Sequence, residues 1–159
     1  MIPEAARIAD QLRRAVHGEA WHGPSILEIL EGVNAKTAAA HPIPNAHSIW
    51  ELLNHVTAWT RAIVRRMDGQ AVELEGDENF PPVTDSSEQA WQRALSDFRA
   101  AQDELLSKLA AVTPDRLTAI VPGRKYNFQF MFDGLVQHHL YHAGQMALLK
   151  KAGELRMQN

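Results

Sequence analysis

Cysteine is absent from this chain of 159 residues, which removes disulfides, thiolate metal ligands and a cysteine nucleophile at once. Long apolar runs are missing too. The opening stretch MIPEAARIADQLRRAVHGEAW is charged every few residues and offers no continuous apolar core for a signal peptide. No later segment approaches the ~18 consecutive apolar residues that a membrane helix needs. These absences point to a cytoplasmic protein with no membrane partner. A surplus of positive charge is also lacking, since 16 Lys and Arg stand against 19 Asp and Glu. The basic clusters Arg13-Arg14, Arg61/Arg65/Arg66, Arg124-Lys125 and Lys150-Lys151 are short and scattered, so nucleic acid is not an expected partner. Arg65-Arg66 and Lys150-Lys151 fall near expected helix C-termini, where cations complement the helix dipole.

Several catalytic signatures are missing as well. There is no His-Glu-x-x-His motif, no Gly-x-Ser-x-Gly elbow and no glycine loop of the kind that cradles phosphate. A di-iron carboxylate bundle needs Glu-x-x-His from two helices, and the one match, Glu19 to His22, sits against Gly18, Gly23 and Pro24, which break helices.

What the chain does have is helical period. With 45% hydrophobic and 22% charged residues it has the composition of an ordinary globular protein, and its length suits a single domain over residues 1–159. The first helix is expected from Pro3 to about His17. A short amphipathic segment follows from Ser25, with Glu28 at the capping-box position, and fades through NAKTAAAH into a rigid turn at His41-Pro42-Ile43-Pro44-Asn45. A second long helix runs from Ser48, again with Glu51 three residues on, to about Asp68-Gly69. The stretch GQAVELEGDENFPPVTDSS reads as an excursion over the surface. A third long helix opens near Ser86 or Ser87 and stops before Pro114, and a fourth spans roughly Phe128 to Ala152, ending at Gly153. Four such helices predict an all-α four-helix bundle, whose ligand and metal sites lie between facing helices.

The fourth helix carries VQHHLYHAGQ, three of the chain's eight histidines within five positions. At ~100° per residue, Met131, Leu135, His138, His142, Gln145 and Leu149 share one narrow arc, whereas His139 lies about 80° from Met131, at the margin. His138 and His142, spaced i and i+4, can converge on one point. On the second long helix His55 falls at the edge of the apolar arc, beside Trp59. Three neutral imidazoles from two helices would form a facial site with positions left open, the pattern of a catalytic metal centre. The same histidines also suit ordinary hydrogen-bonded core positions. Trp50, Trp59, Trp91 and Phe98 read first as core packing and second as walls of a ligand pocket. His17, His22, His41 and His139 read as surface or loop residues, and His47 as local structure at a helix start.

HSIWELLNHVTAW, followed some 80 residues later by GLVQHHLYHAGQMALLKKAG, resembles the DinB-like superfamily of bacterial damage-inducible and thiol-transferase-related proteins. The resemblance runs over essentially the whole chain, through the PIPNAHSIW entry to the second long helix and the His-x-x-x-His-x-Gly-Gln signature on the fourth. It implies a bundle with up-down-down-up helix order, a homodimer, and a divalent metal, nickel or zinc, held by His55, His138 and His142. Iron and copper suit three imidazoles equally. Gly144 would permit close helix approach, and Gln145 and Trp59 would stand beside the site. The implied activity is a metal-dependent thiol S-transferase, joining a low-molecular-weight thiol to an electrophile, in keeping with a metal's ability to lower a thiol's pKa. Two other readings remain open: a non-catalytic metal-containing stress or binding module, and metal-assisted hydrolysis.

Overall fold

Ser25 and Ser48 each start a helix in the way their spacing predicts. A computed structural model describes residues 3–157, and in it both serines accept from the backbone N–H three residues on. Glu28 and Glu51 in turn accept from the serine backbone, completing two capping boxes. Eight helices and no strand are found among the described residues: α1 (Glu4–His17), α2 (Ile26–Leu30), α3 (Ala35–Ala39), α4 (Ile49–Met67), α5 (Gly76–Asn79), α6 (Glu88–Leu109), α7 (Pro114–Thr118) and α8 (Phe128–Met157). Among the described residues no helix is long and apolar enough to cross a membrane.

The all-α bundle is therefore present, and α1, α4, α6 and α8 are its four long members. Both α4 and α1 pack against α6 and α8, so α1 stands diagonal to α4, and α6 to α8. Two boundaries and one glycine differ from expectation. NAKTAAA forms a short helix, α3, because the Asn34 side chain caps it by accepting from the Thr37 N–H. Gly153 does not end α8, which continues to Met157. Gly144 is exposed, and a Cβ built there meets nothing within 4 Å, so it permits no close helix approach within this chain.

Two apolar clusters fill the bundle, one toward each end. The first gathers Trp50, Leu53 and Val56 of α4, Trp91 and Phe98 of α6, and Met146 of α8. The second gathers Ile8 and Leu12 of α1, Ile63 of α4, Leu105 and Leu109 of α6, and Phe128, Phe132 and Leu135 of α8. Trp50, Trp91 and Phe98 are core residues, as expected.

Between the clusters lies a polar belt. Thr60 of α4, Gln102 of α6 and His139 of α8 are at most 1% exposed. Gln102 Nε2 donates to Thr60 Oγ1 at 3.0 Å and to His139 Nε2 at 2.9 Å, and His139 Nδ1 donates to the Leu135 carbonyl at 3.0 Å. The network joins α6 to α8 across the bundle's diagonal and leaves no atom of the imidazole unpaired. His139 was expected at the surface margin, but it occupies the centre. Fully buried residues on α8 run Phe128, Phe132, His139, Met146, a stripe rotated about 80° from the one on which His138 lies.

Candidate metal centre

The site is built where α4 and α8 cross that polar belt. His55 is buried on α4, and His142 is buried and His138 half-buried on α8. Their ring centroids are 4.9 Å (His55 to His138), 4.7 Å (His55 to His142) and 4.5 Å (His138 to His142) apart. One nitrogen from each lies within 4.8 Å of the other two, an arrangement that could hold a metal ion. The two α8 histidines meet because i and i+4 share a helix face.

The outward nitrogens determine which lone pairs point inward. His55 Nδ1 is 2.7 Å from the Asn79 carbonyl, which can only accept, so Nδ1 carries the proton and Nε2 the lone pair. His142 Nδ1 donates to Gln145 Oε1 at 2.6 Å, which likewise leaves its Nε2 free. His138 Nε2 is 2.9 Å from His55 Nε2. Without a cation, His138 must donate from Nε2 to His55, and its buried Nδ1, which has no hydrogen-bond partner, is then a bare acceptor. A cation instead takes both lone pairs. Two bonds of about 2.0–2.1 Å meeting at about 90° span that nitrogen separation, so the donor set fits a divalent ion.

Electrostatics keep the triad in its ligating form. Burial, reinforced by the three neighbouring imidazoles, pushes His138 down to about 3. Burial also lowers His55, partly opposed by its bond to the Asn79 carbonyl, and lowers His142, partly opposed by Gln145. All three are neutral at pH 7, and neutral imidazole is the form that binds metal.

The segment between α4 and α6 contributes more than a surface excursion. Asn79 ends α5 and accepts twice, its carbonyl from His55 and its side-chain oxygen from Trp59 Nε1 at 2.8 Å. Phe80 then lies flat between two imidazoles, with ring centroids 3.9 Å from His55 and 4.1 Å from His47. Asn54 Nδ2 donates to the Pro81 carbonyl and ties the segment down. Sequence reasoning missed Asn79 and Phe80, because nothing local marks a loop carbonyl as the partner of a histidine 24 residues earlier. His47 is exposed and pairs with Glu51 at 3.4 Å, in keeping with a local role at the start of α4.

A cavity of about 250 Å³ opens beside His138, bounded by Trp59 and Ile63 of α4, Met131, Gly134 and Leu135 of α8, and Arg66 at its far end. Trp59 is thus a wall of a pocket, half-buried, and not a core residue. Gln145 stands next to His142, as its spacing suggested. The pair Arg65-Arg66 lies in the last turn of α4, as expected, but only Arg65 is exposed and Arg66 is 2% exposed. Lys150 also departs from expectation: its ammonium caps the carbonyls of Ile29 and Glu31 at the end of α2, not those of its own helix.

Compared with known protein families, residues 20–146 match the model described as the DinB superfamily. No curated protein and no solved structure matches the chain.

Proposed function

The chain belongs to the DinB superfamily, and from that premise we propose that it is a divalent-metal-dependent thiol S-transferase. The reaction would join a low-molecular-weight thiol to an electrophile: a C–S bond forms as the thiol proton departs, with loss of the leaving group at an alkyl halide or with protonation of the α-carbon at a Michael acceptor. His55, His138 and His142 would hold the ion, zinc or nickel, through their Nε2 atoms. A bound ion of this kind supplies a Lewis acid that lowers the pKa of a thiol reaching its open position. The chain has no cysteine, so the sulfur comes from the substrate.

One observation carries the reading. Three neutral imidazoles converge within 4.8 Å of one another, and one of them, His138, lines an apolar cavity, which gives a small molecule a way to the triad. A closed coordination sphere with no adjacent cavity would instead favour a non-catalytic module. Asn79 and Gln145 fix two of the rings, Phe80 stacks on His55, and Trp59 and Leu135 line the approach to His138 with apolar surface.

A homodimer is proposed from the outer face of α8. Phe130, Tyr141 and Leu148 are 65%, 66% and 60% exposed, and intervals of 11 and 7 residues place them within about 20° of one another around the helix.

The test is a screen of low-molecular-weight thiols against an alkyl halide and a Michael acceptor, with wild type and His138→Ala side by side. Conjugation by wild type and its loss together with metal in the variant are expected. Full activity in a metal-free variant would overturn the reading, and product release without thiol would replace it with hydrolysis.

A further inference from the structure

Arg66 is a buried cation without an anion. Its guanidinium lines the cavity beside His138, yet no carboxylate among the described residues lies within ion-pair distance of it. Nε and Nη2 donate to the Val72 carbonyl at 3.1 and 2.7 Å, and Nη1 reaches Tyr126 Oη at 3.4 Å. These account for three of five N–H donors, and both acceptors are uncharged. The neighbouring charge adds to the imbalance. Arg124 also donates to the Val72 carbonyl, at 2.8 Å, and the one nearby carboxylate, the exposed Glu73, is taken by Arg124 at 2.9 Å. A buried charge met only by neutral acceptors and an aromatic face lacks full compensation, so its place on a cavity wall calls for an anionic ligand that pairs with it.

The rest of the cavity defines the body of that ligand. Trp59, Ile63 and Leu135 give it apolar sides, and the Arg66 guanidinium carbon lies 5.4 Å from the Trp59 ring centroid. At Gly134 a Cβ would meet nothing within 4 Å, so glycine keeps space clear on the cavity face of α8, although alanine is the better helix former. A cavity of about 250 Å³ exceeds the ~150 Å³ that admits a benzene molecule, which leaves room for a ring and a short chain.

We propose that this cavity binds a small apolar monocarboxylate, its carboxylate paired with Arg66 and its other end delivered to the face of His138. Arg66 is then the residue that determines substrate charge, through the paired N–H geometry by which guanidinium recognises carboxylate. The proposal deepens the functional reading above and rests on it only for what happens at the His138 end.

The test uses the full chain as purified and follows binding of two matched probes, 3-phenylpropionate and its uncharged amide, by titration calorimetry. The carboxylate binds at least tenfold more tightly than the amide. Arg66→Met lowers carboxylate affinity at least tenfold and leaves the amide unchanged, and Gly134→Leu weakens both probes at least tenfold with metal content and circular dichroism unaltered. Equal affinity of wild type for the two probes overturns the proposal, as does binding of neither. A carboxylate preference that survives Arg66→Met also overturns it, because the anion is then held by the metal. Should Arg66→Met fail to fold, the wild-type probe comparison and Gly134→Leu decide the matter. Because metal content and thiol conjugation are read without these probes, failure here is distinct from failure of the transferase reading.

Discussion

His55 and His138 meet nitrogen to nitrogen, their Nε2 atoms 2.9 Å apart, while the His55 Nδ1 proton is committed to the Asn79 carbonyl. A pair of neutral imidazoles in that orientation can be satisfied by one shared proton or by one shared cation. The proton leaves His138 Nδ1 as a buried acceptor with nothing to accept from. The cation satisfies both Nε2 lone pairs and recruits His142 as well, whose Nε2 is freed by Gln145, and His138 Nδ1 then carries the proton, with no acceptor among the described residues. The account rests on this relationship.

Gln145→Leu removes the acceptor of His142 Nδ1 and leaves that ring free to rotate. Loss of an outer partner of a ligating histidine commonly costs 10–100-fold in metal affinity. The expected result is a loss of that size in a chelator competition assay, with helix content unchanged.

Chelator-treated protein stays folded, with a lower melting temperature, because both apolar clusters remain when the metal's binding free energy is lost. Its stability then falls with acid. Burial holds His138 near 3 and His139 near 4 in the folded state, against about 6.5 in an unfolded chain. Above pH 6.5 both states bind equal numbers of protons and stability is flat. Below it the unfolded chain binds more, and each such histidine removes ~1.4 kcal/mol per pH unit until its folded pKa is reached. Urea titrations of the metal-free protein at pH 7.5, 6.0 and 5.0 check the sign: a midpoint that rises toward pH 5 would contradict it.

Gln102→Leu tests the belt between the clusters. The substitution takes the donor from His139 Nε2, which is fully buried and has no other partner, and should cost about 1–3 kcal/mol by urea unfolding. A neutral result would mean that the imidazole has found water or turned over.

Gly144→Ala should stabilise the chain by up to ~1 kcal/mol, since the helical position has open space where the Cβ goes. Destabilisation in the thermal melt would show that the proposed dimer brings its partner close against the helix at this position.

The sequence states the helices and the metal triad more clearly than it states their surroundings. Ser25-x-x-Glu28 and Ser48-x-x-Glu51 announce two helix starts because the capping box is a local device, complete within four residues. His138 and His142 can be paired from spacing, His55 can be set beside them from its place at the edge of the apolar arc of the second long helix, and the resemblance names the same three. His139 could not be placed in this way, since α8 carries apolar residues around most of its circumference and a choice of stripe shifts every assignment by one residue. The alternative stripe of Phe128, Phe132, Ala143 and Met146 brackets His139 and was the signal available. Asn79, Phe80 and Arg66 were beyond reach for another reason: their roles come from tertiary contacts that no local pattern encodes. Arg66 in particular looks like a helix-end cation until the structure shows that it is buried.

The most direct test is elemental analysis of protein purified without a polyhistidine tag, for wild type and for His55→Ala, His138→Ala and His142→Ala. The account predicts about one divalent ion per chain in wild type and little or none in each folded variant. A folded wild type that takes up no zinc or nickel, or variants that keep the full complement, would contradict it.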